Sequence, residues 1–167
     1  MNDQTLPTAN PLVDFRQTLG CFPTGVTIVT CMGQSGQPLG LTVSSFNSVS
    51  LDPPLILWSL QNKSIHLKDY LAADRFAVNI LCADQSDTCR TFASDVEDRF
   101  SDVDWRMSDL DLPVLENSAA TLECERGDVH LAGDHRIFIG RVLAHHHSER
   151  TPMIWGKGRL TAFPARD

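Results

Sequence analysis

Residues 23–57 read PTGVTIVTCMGQSGQPLGLTVSSFNSVSLDPPLIL. TGVTIVTCM alternates and is rich in valine, isoleucine and threonine, the composition of a β-strand. GQSGQP is a turn, and LGLTVSSF reads as the returning strand of a hairpin. Hydroxyls then crowd in: Thr42, Ser44, Ser45, Ser48 and Ser50 stand among Val43, Phe46 and Val49 until Pro53 and Pro54 end the run. A strand meant only for packing does not give up so many positions to serine. Two readings compete, a solvent-facing strand end and a ligand cradle built of hydroxyls and backbone amides. PLILWSL follows as a short continuous apolar run, read as a strand buried on both faces.

Working outward, residues 1–11 are polar, hold Pro7 and Pro11, and predict a flexible arm ahead of a single domain over 12–167. In LVDFRQTLGCF, Leu12, Phe15 and Leu19 fall at helical spacing, and the short helix ends near Gly20. Ser64 is placed to cap a helix over 64–74, in which Leu67, Tyr70 and Leu71 share a face. RFAVNIL predicts another strand and ADQSDTCRTFAS another helix. Residues 95–111 carry seven acids and Trp105, which predicts an ordered surface loop of a length that is often functional. The last third returns to strands in AATLECERGDVHLA, DHRIFIGRVLAHHH and MIWGKGRLTAF, with alternation at Ala120, Leu122 and Cys124 and again at Ile137 and Ile139. Six or seven strands and two or three short helices, without regular βαβ alternation, favour an antiparallel barrel with helices packed outside it.

Charge and cysteine usage narrow the function. The 167 residues hold 14 Lys+Arg against 21 Asp+Glu, a formal charge of −7, which argues against broad binding of nucleic acid or anionic membrane. An anionic ligand is then held by local amides and a few cations. The cysteines (Cys21, Cys31, Cys82, Cys89 and Cys124) are odd in number and show no metal spacing, so they read as mostly buried reduced thiols of a cytoplasmic protein. The first residues show no basic and apolar leader pattern, and no apolar run approaches the ~18 residues of a membrane span. In the run His145-His146-His147 alternate side chains face opposite sides. With no Cys or Asp cluster at partner spacing, the triplet reads as an exposed strand end and no metal is expected.

The motifs, taken in order, resemble the flavin reductase-like family, the small reductases that partner two-component flavin monooxygenases. FPTGV (22–26) is followed by Gly-x-Thr-x-Ser-Ser-Phe (40–46) and Ser-Val-Ser-x-x-Pro-Pro (48–54). FAVNIL (76–81), Gln85 with Phe92-Ala93, DRF (98–100) and GDHRIFIGRV (133–142) follow in the family's order, so the resemblance runs from residue 12 to residue 163. It implies a mainly β fold with α, a split β-barrel of the FMN-binding type with short flanking helices. It also implies an NAD(P)H-dependent reduction of FMN or FAD, with reduced flavin passed to a separate oxygenase, and a homodimer with flavin sites near the subunit interface.

On this resemblance the flavin contacts are Thr24, Gly25, Val26, Thr42, Val43, Ser44, Ser45, Ser48, Val49, Ser50, Arg99 and Phe100. The phosphate falls at Lys63, Ser64 and the amides opening the predicted 64–74 helix, a helix start being a ready anion site. His135 is then the residue that positions the dihydronicotinamide of NADH or NADPH. The chain departs from the family pattern in PMIWGKGRL, where Trp155 and Leu160 replace tyrosines. Trp155 is expected to be able to pack near the cofactor. The acidic segment has two readings, a cover over the flavin or a charge that disfavours the 2′-phosphate of NADPH. Two other functions stay open: a flavin carrier or store without turnover, and an oxidoreductase that keeps its flavin and reduces an organic acceptor.

Overall fold

The computed structural model describes residues 11–164. The expected arm therefore lies outside the described residues except for Pro11, which opens a helix. In chain order the elements are α1 (Pro11–Leu19), β1 (Thr24–Gly25), β2 (Thr27–Met32), β3 (Pro38–Val43), β4 (Asn47–Leu51), β5 (Pro54–Gln61) and α2 (Leu67–Ala72). There follow β6 (Arg75–Ile80), α3 (Ser86–Ala93), β7 (Trp105–Met107), β8 (Pro113–Leu115), β9 (Ala120–Ala132), β10 (His135–His147), β11 (Met153–Gly156) and β12 (Arg159–Ala162).

A seven-stranded antiparallel sheet runs in the order β3-β2-β6-β9-β10-β5-β4. Strands β3 and β4 are consecutive in the chain yet form its two opposite edges. Laid flat, seven strands would hold their outer members ~29 Å apart at the usual ~4.8 Å spacing. The link Ser44–Phe46 covers at most ~14 Å between Val43 and Asn47. The sheet must therefore curl until its edges approach, which gives the expected barrel, left open along one seam. Ser45 closes that seam with side chain alone: its Oγ accepts the Ser59 N–H at 2.9 Å and donates to the Ser59 carbonyl at 3.2 Å.

Two cores lie on either side of β2. Val29 and Cys31 join Trp58, Tyr70, Phe76 and Phe138 inside the barrel, while Val26 and Ile28 join Leu81, Phe92, Phe100 and Met153 outside it. Trp58, fully buried, stacks on Phe138 at 4.6 Å and meets Tyr70 and Phe76 edge-on. The Tyr70 hydroxyl donates to the Val29 carbonyl at 2.7 Å, so the phenol joins α2 to the sheet. Asn79, also fully buried, donates to the Ile28 carbonyl and Thr30 Oγ1 and accepts the Leu115 N–H, tying β6, β2 and β8 together.

Several sequence expectations change here. The strand buried on both faces is β2, not β5; Ile56, Trp58 and Leu60 of β5 point inward and the residues between them are only half-covered. Strand β5 lies next to an edge, where nothing packs fully over its outer face. In β10 the core-facing residues are Phe138 and Gly140, and Ile137 and Ile139 are half-buried on the other side. The helix predicted over 64–74 is only Leu67–Ala72, because Ser64–His66 form a turn and Ala73 is already extended. The acidic segment is not all loop, since β7 pairs with β8 inside and beyond it. Short strands raise the tally to twelve among the described residues. The run ends in a turn at Asp52-Pro53, and Pro54, paired with Leu51 across it, opens β5.

Candidate functional site

A cavity of about 600 Å³ opens at the seam of the barrel. The end of β3 and the link supply Thr42, Val43, Ser44 and Ser45; the end of β5 supplies Ser59, Leu60 and Gln61. The turn after β5 adds Lys63, Ser64, Ile65 and His66, and the end of α3 adds Phe92, Ser94 and Asp95. Arg99 and His135 complete the wall. The volume lies within the ~300–1,000 Å³ usual for ligand pockets.

The hydroxyls divide into two sets. Thr42 Oγ1 donates to the Cys89 carbonyl at 2.8 Å, which seats α3 on β3, and Ser45 is engaged with Ser59. These two hold the cradle's shape. Ser44 is exposed, and its hydroxyl has no hydrogen-bond partner among the described residues, so it is available to a ligand. Ser64 Oγ accepts the His66 N–H at 3.3 Å and keeps its own O–H to donate. Lys63 is exposed and forms no ion pair among the described residues, although its charge helps to lower the Asp134 pKa. Helix α2 is only six residues long and starts at Leu67, not at Ser64, and Lys63, Ser64 and Arg99 line the cavity.

Arg99 is the most constrained cation in the cavity. Its Nη1 donates to the Gly40 carbonyl at 2.8 Å and lies 3.2 Å from His66 Nε2; its Nη2 donates to the Ser94 carbonyl at 2.6 Å. Nε is buried with no partner, and no carboxylate among the described residues pairs with the guanidinium. Burial, and then the charge of Arg99, push the His66 pKa below its ordinary value. His66 is thereby kept neutral near pH 7, and Nε2 accepts the Arg99 N–H.

His135 owes its place to a hairpin. Gly133 sits at φ 60°, a left-handed conformation that glycine adopts without a Cβ penalty, and the turn Gly133-Asp134 joins β9 to β10. Asn62 fixes this turn to β5, its N–H donating to the Asp134 carbonyl and its Nδ2 to the Gly133 carbonyl. His135 Nδ1 lies 2.7 Å from Asp134 Oδ1. An ionised carboxylate only accepts, so Nδ1 carries the proton and Nε2 is left for the cavity. The hydrogen bond and charge of His135 hold the Asp134 carboxyl below its ordinary range.

The seam thus brings together Thr42, Val43, Ser44, Ser45, Lys63, Ser64, Arg99 and His135. The other expected contacts stand elsewhere. Thr24 and Gly25 lie in β1, in a separate three-stranded sheet with β11 and β12, and Val26 is buried in the outer core. Ser48, Val49 and Ser50 belong to edge strand β4, where a bulge disturbs the register, and none of them lines this cavity. Phe100 is core, with one side on an adjoining cavity. Trp155 pairs with Thr24 and Leu160 in the small sheet and does not line this cavity. The three histidines at the end of β10 are exposed, as expected.

Ser59, Gln61 and His66 were not legible as site residues. Ser59 and Gln61 alternate with Trp58 and Leu60, a period-2 signal that an apolar-run reading hides. His66 was hidden inside the overlong helix.

Residues 19–164 match the flavin reductase like domain. The chain is 42% identical over 149 residues to the FMN reductase (NADH) SmoA of Agrobacterium fabrum, covering 89% of this chain and 84% of that one. It is 41% identical over 133 residues to the reductase component of the flavin-dependent trigonelline monooxygenase of Acinetobacter baylyi, covering 80% of this chain. The chain spans 43% of that protein's length, and 46% of a Rhizobium meliloti relative 45% identical to it. Among solved structures, the NADH:FAD oxidoreductase SgcE6 of Streptomyces globisporus, in complex with NAD and FAD fragments, superposes with a TM-score of 0.88 at 36% identity. That match covers 95% of this chain and 98% of the other. The chain belongs to the flavin reductase-like family and carries that family's split-barrel fold.

Proposed function

We propose that this chain is an NAD(P)H-dependent flavin reductase that passes reduced FMN or FAD to a separate oxygenase. The observation that carries the reading is the convergence of Ser44, Lys63, Arg99 and His135 on one cavity at the seam. A flavin fits these residues: the cavity is large enough, Leu41, Leu60 and Phe92 give it apolar walls, and the buried Arg99 Nε lacks a partner.

Ser44 and the adjoining backbone would hold the ring and ribityl chain, and Lys63, Ser64 and Arg99 the phosphate. When bound, the flavin supplies the acceptor for a hydride from the dihydronicotinamide, a transfer that depends on close stacked geometry more than on acid–base groups. His135, oriented by Asp134, presents Nε2 to the nicotinamide and positions it.

The chain is further read as a homodimer. Helix α1 leaves Leu12, Phe15 and Leu19 between 57% and 60% exposed, an apolar face that a second copy would cover. Size-exclusion chromatography with light scattering tests this, and a monomer at micromolar concentration contradicts it. Cytoplasmic residence is supported by the five free thiols; no helix among the described residues is long and apolar enough to cross a membrane.

The test of function mixes the protein anaerobically with FMN or FAD and NADH or NADPH. Bleaching of the oxidised flavin band near ~450 nm, over many equivalents of flavin per protein, supports a reductase. Bleaching of one equivalent only marks a carrier, and none overturns the reading.

A further inference from the structure

We propose that Asn62 is a positioning residue for hydride transfer: its side-chain amide holds the Gly133-Asp134 turn and, through that turn, the ring of His135. The proposal rests on the flavin-reductase reading above, in which His135 positions the dihydronicotinamide.

The ring reaches the cavity from a place where little else restrains it. His135 is the first residue of β10, and its side chain is 37% exposed. Its ring partner, Asp134, is 90% exposed and lies in the turn itself, so the Nδ1 hydrogen bond fixes the ring only as well as the turn fixes Asp134. The ladder between β10 and β5 ends at the pair His135–Gln61, one residue short of the turn.

Beyond that pair, Asn62 joins the two segments. Its backbone N–H donates to the Asp134 carbonyl at 2.8 Å, and its Nδ2 donates to the Gly133 carbonyl at 3.2 Å. A carbonyl only accepts, so the amide nitrogen and not the amide oxygen faces Gly133. One residue thus grips both carbonyls of a two-residue turn, which sets the turn's tilt as well as its distance from β5. Among the described residues, no other side chain outside the hairpin hydrogen-bonds to Gly133 or Asp134. The backbone bond is open to any residue with an N–H; the second bond needs a side-chain donor of this reach.

Asn62 does not line the cavity, although its neighbours Gln61, Lys63 and Ser64 do, so its side chain acts on the reaction through His135. Stacked hydride transfer tolerates little displacement, and a misplacement of ~1 Å can cost ~100-fold in rate. A loosened turn therefore shows in the NADH rate before it shows in stability or flavin affinity.

Asn62→Ala and Asn62→Asp, each alone and the first also combined with His135→Ala, test this on the full chain. Asn62 is exposed, so Tm is expected to stay within ~2 °C of wild type. Asn62→Ala should lower kcat/KM for NADH about three- to tenfold, with the FMN Kd within about twofold. Asn62→Asp keeps the shape and removes the donor, so it should lose at least as much; a wild-type rate overturns the proposal. In the His135→Ala background, adding Asn62→Ala should cost less than about 1.5-fold more, and the full loss repeated there overturns it. A readout independent of turnover is nitrogen NMR of the His135 ring at about pH 8, where an ordinary imidazole is neutral. Wild type is expected to show the Nδ1–H tautomer, and Asn62→Ala a shift towards the mixture of an unrestrained imidazole; an unchanged signature overturns the proposal. If wild type oxidises no NADH with any flavin, the flavin-reductase reading falls, and the tautomer shift still decides whether Asn62 holds the ring.

Discussion

Replacing Gly40 with alanine places a methyl group against an aromatic ring that has little room to retreat. A Cβ at this position would lie 2.4 Å from Phe92 Cε1, 2.7 Å from Cδ1 and 3.3 Å from Thr30 Cγ2. Carbon–carbon contacts settle near ~3.5–4.0 Å, so the ring must move by ~1 Å. Phe92 is 1% exposed and stands edge-on to Phe100 at 4.9 Å, which in turn packs on Trp105. Overpacking of this kind costs ~1–3 kcal/mol. At ~2–4 °C per kcal/mol for a chain of this size, Tm falls by ~2–12 °C. Function suffers as well, because the Gly40 carbonyl anchors Arg99 and Phe92 lines the cavity. A distortion worth ~1 kcal/mol at that anchor raises the flavin Kd about fivefold. The assay is a set of thermal melts and flavin titrations on wild type, Gly40→Ala, Phe92→Leu and the double variant. Removing the ring relieves the clash, so the double variant is expected to be more stable than the two single losses predict, by ~0.5–3 kcal/mol. Additive losses, or an alanine variant with wild-type Tm, would refute the reasoning.

Three other outcomes follow from the same geometry. The His66 pKa is depressed, so on acidification the unfolded chain takes up its proton first, below about pH 6.5. Its contribution to stability is full above that value and lost as pH falls through the folded pKa; His66→Gln is expected to flatten this part of the Tm-against-pH curve, and superimposable curves contradict it. His135→Ala should lower kcat/KM for NADH at least tenfold with the flavin Kd within threefold, and Asp134→Asn should do so more mildly by loosening the ring; a loss confined to flavin affinity assigns His135 a different role. Burial pushes the Cys31 and Cys124 thiols up to about 12, and Cys82 and Cys89 are buried as well. Cys21 alone is exposed, so native protein should show one fast-reacting thiol and unfolded protein five; two or more fast thiols argue against the packing described.

Local signals in the chain carried much of this architecture. The β2–β3 hairpin, β6, β9 and β10 follow from strand-forming runs between turn residues, and α3 from the segment ADQSDTCRTFAS. The seam was less legible. Nothing local shows that β3 and β4 lie at opposite edges, because that depends on six intervening strand pairings. For the same reason the serines looked equivalent in sequence, whereas Ser45 closes the barrel, Ser44 faces the cavity, and Ser48 and Ser50 lie on the far edge. Arg99 was marked by the motif, but its partners Gly40, His66 and Ser94 come from three separate segments. The helix start expected to hold a phosphate dissolved into a turn, since Ser64 Oγ engages the His66 N–H within that turn instead of capping a helix.

The central claim is that the flavin sits in the seam of the barrel. Difference density from crystals of the protein grown with FMN tests it most directly. The account predicts the ring between the Ser44–Ser45 backbone and His135, with the phosphate within hydrogen-bonding distance of at least one of Lys63, Ser64 and Arg99. A flavin bound instead at β1 and β11, beside Thr24 and Trp155, would contradict it.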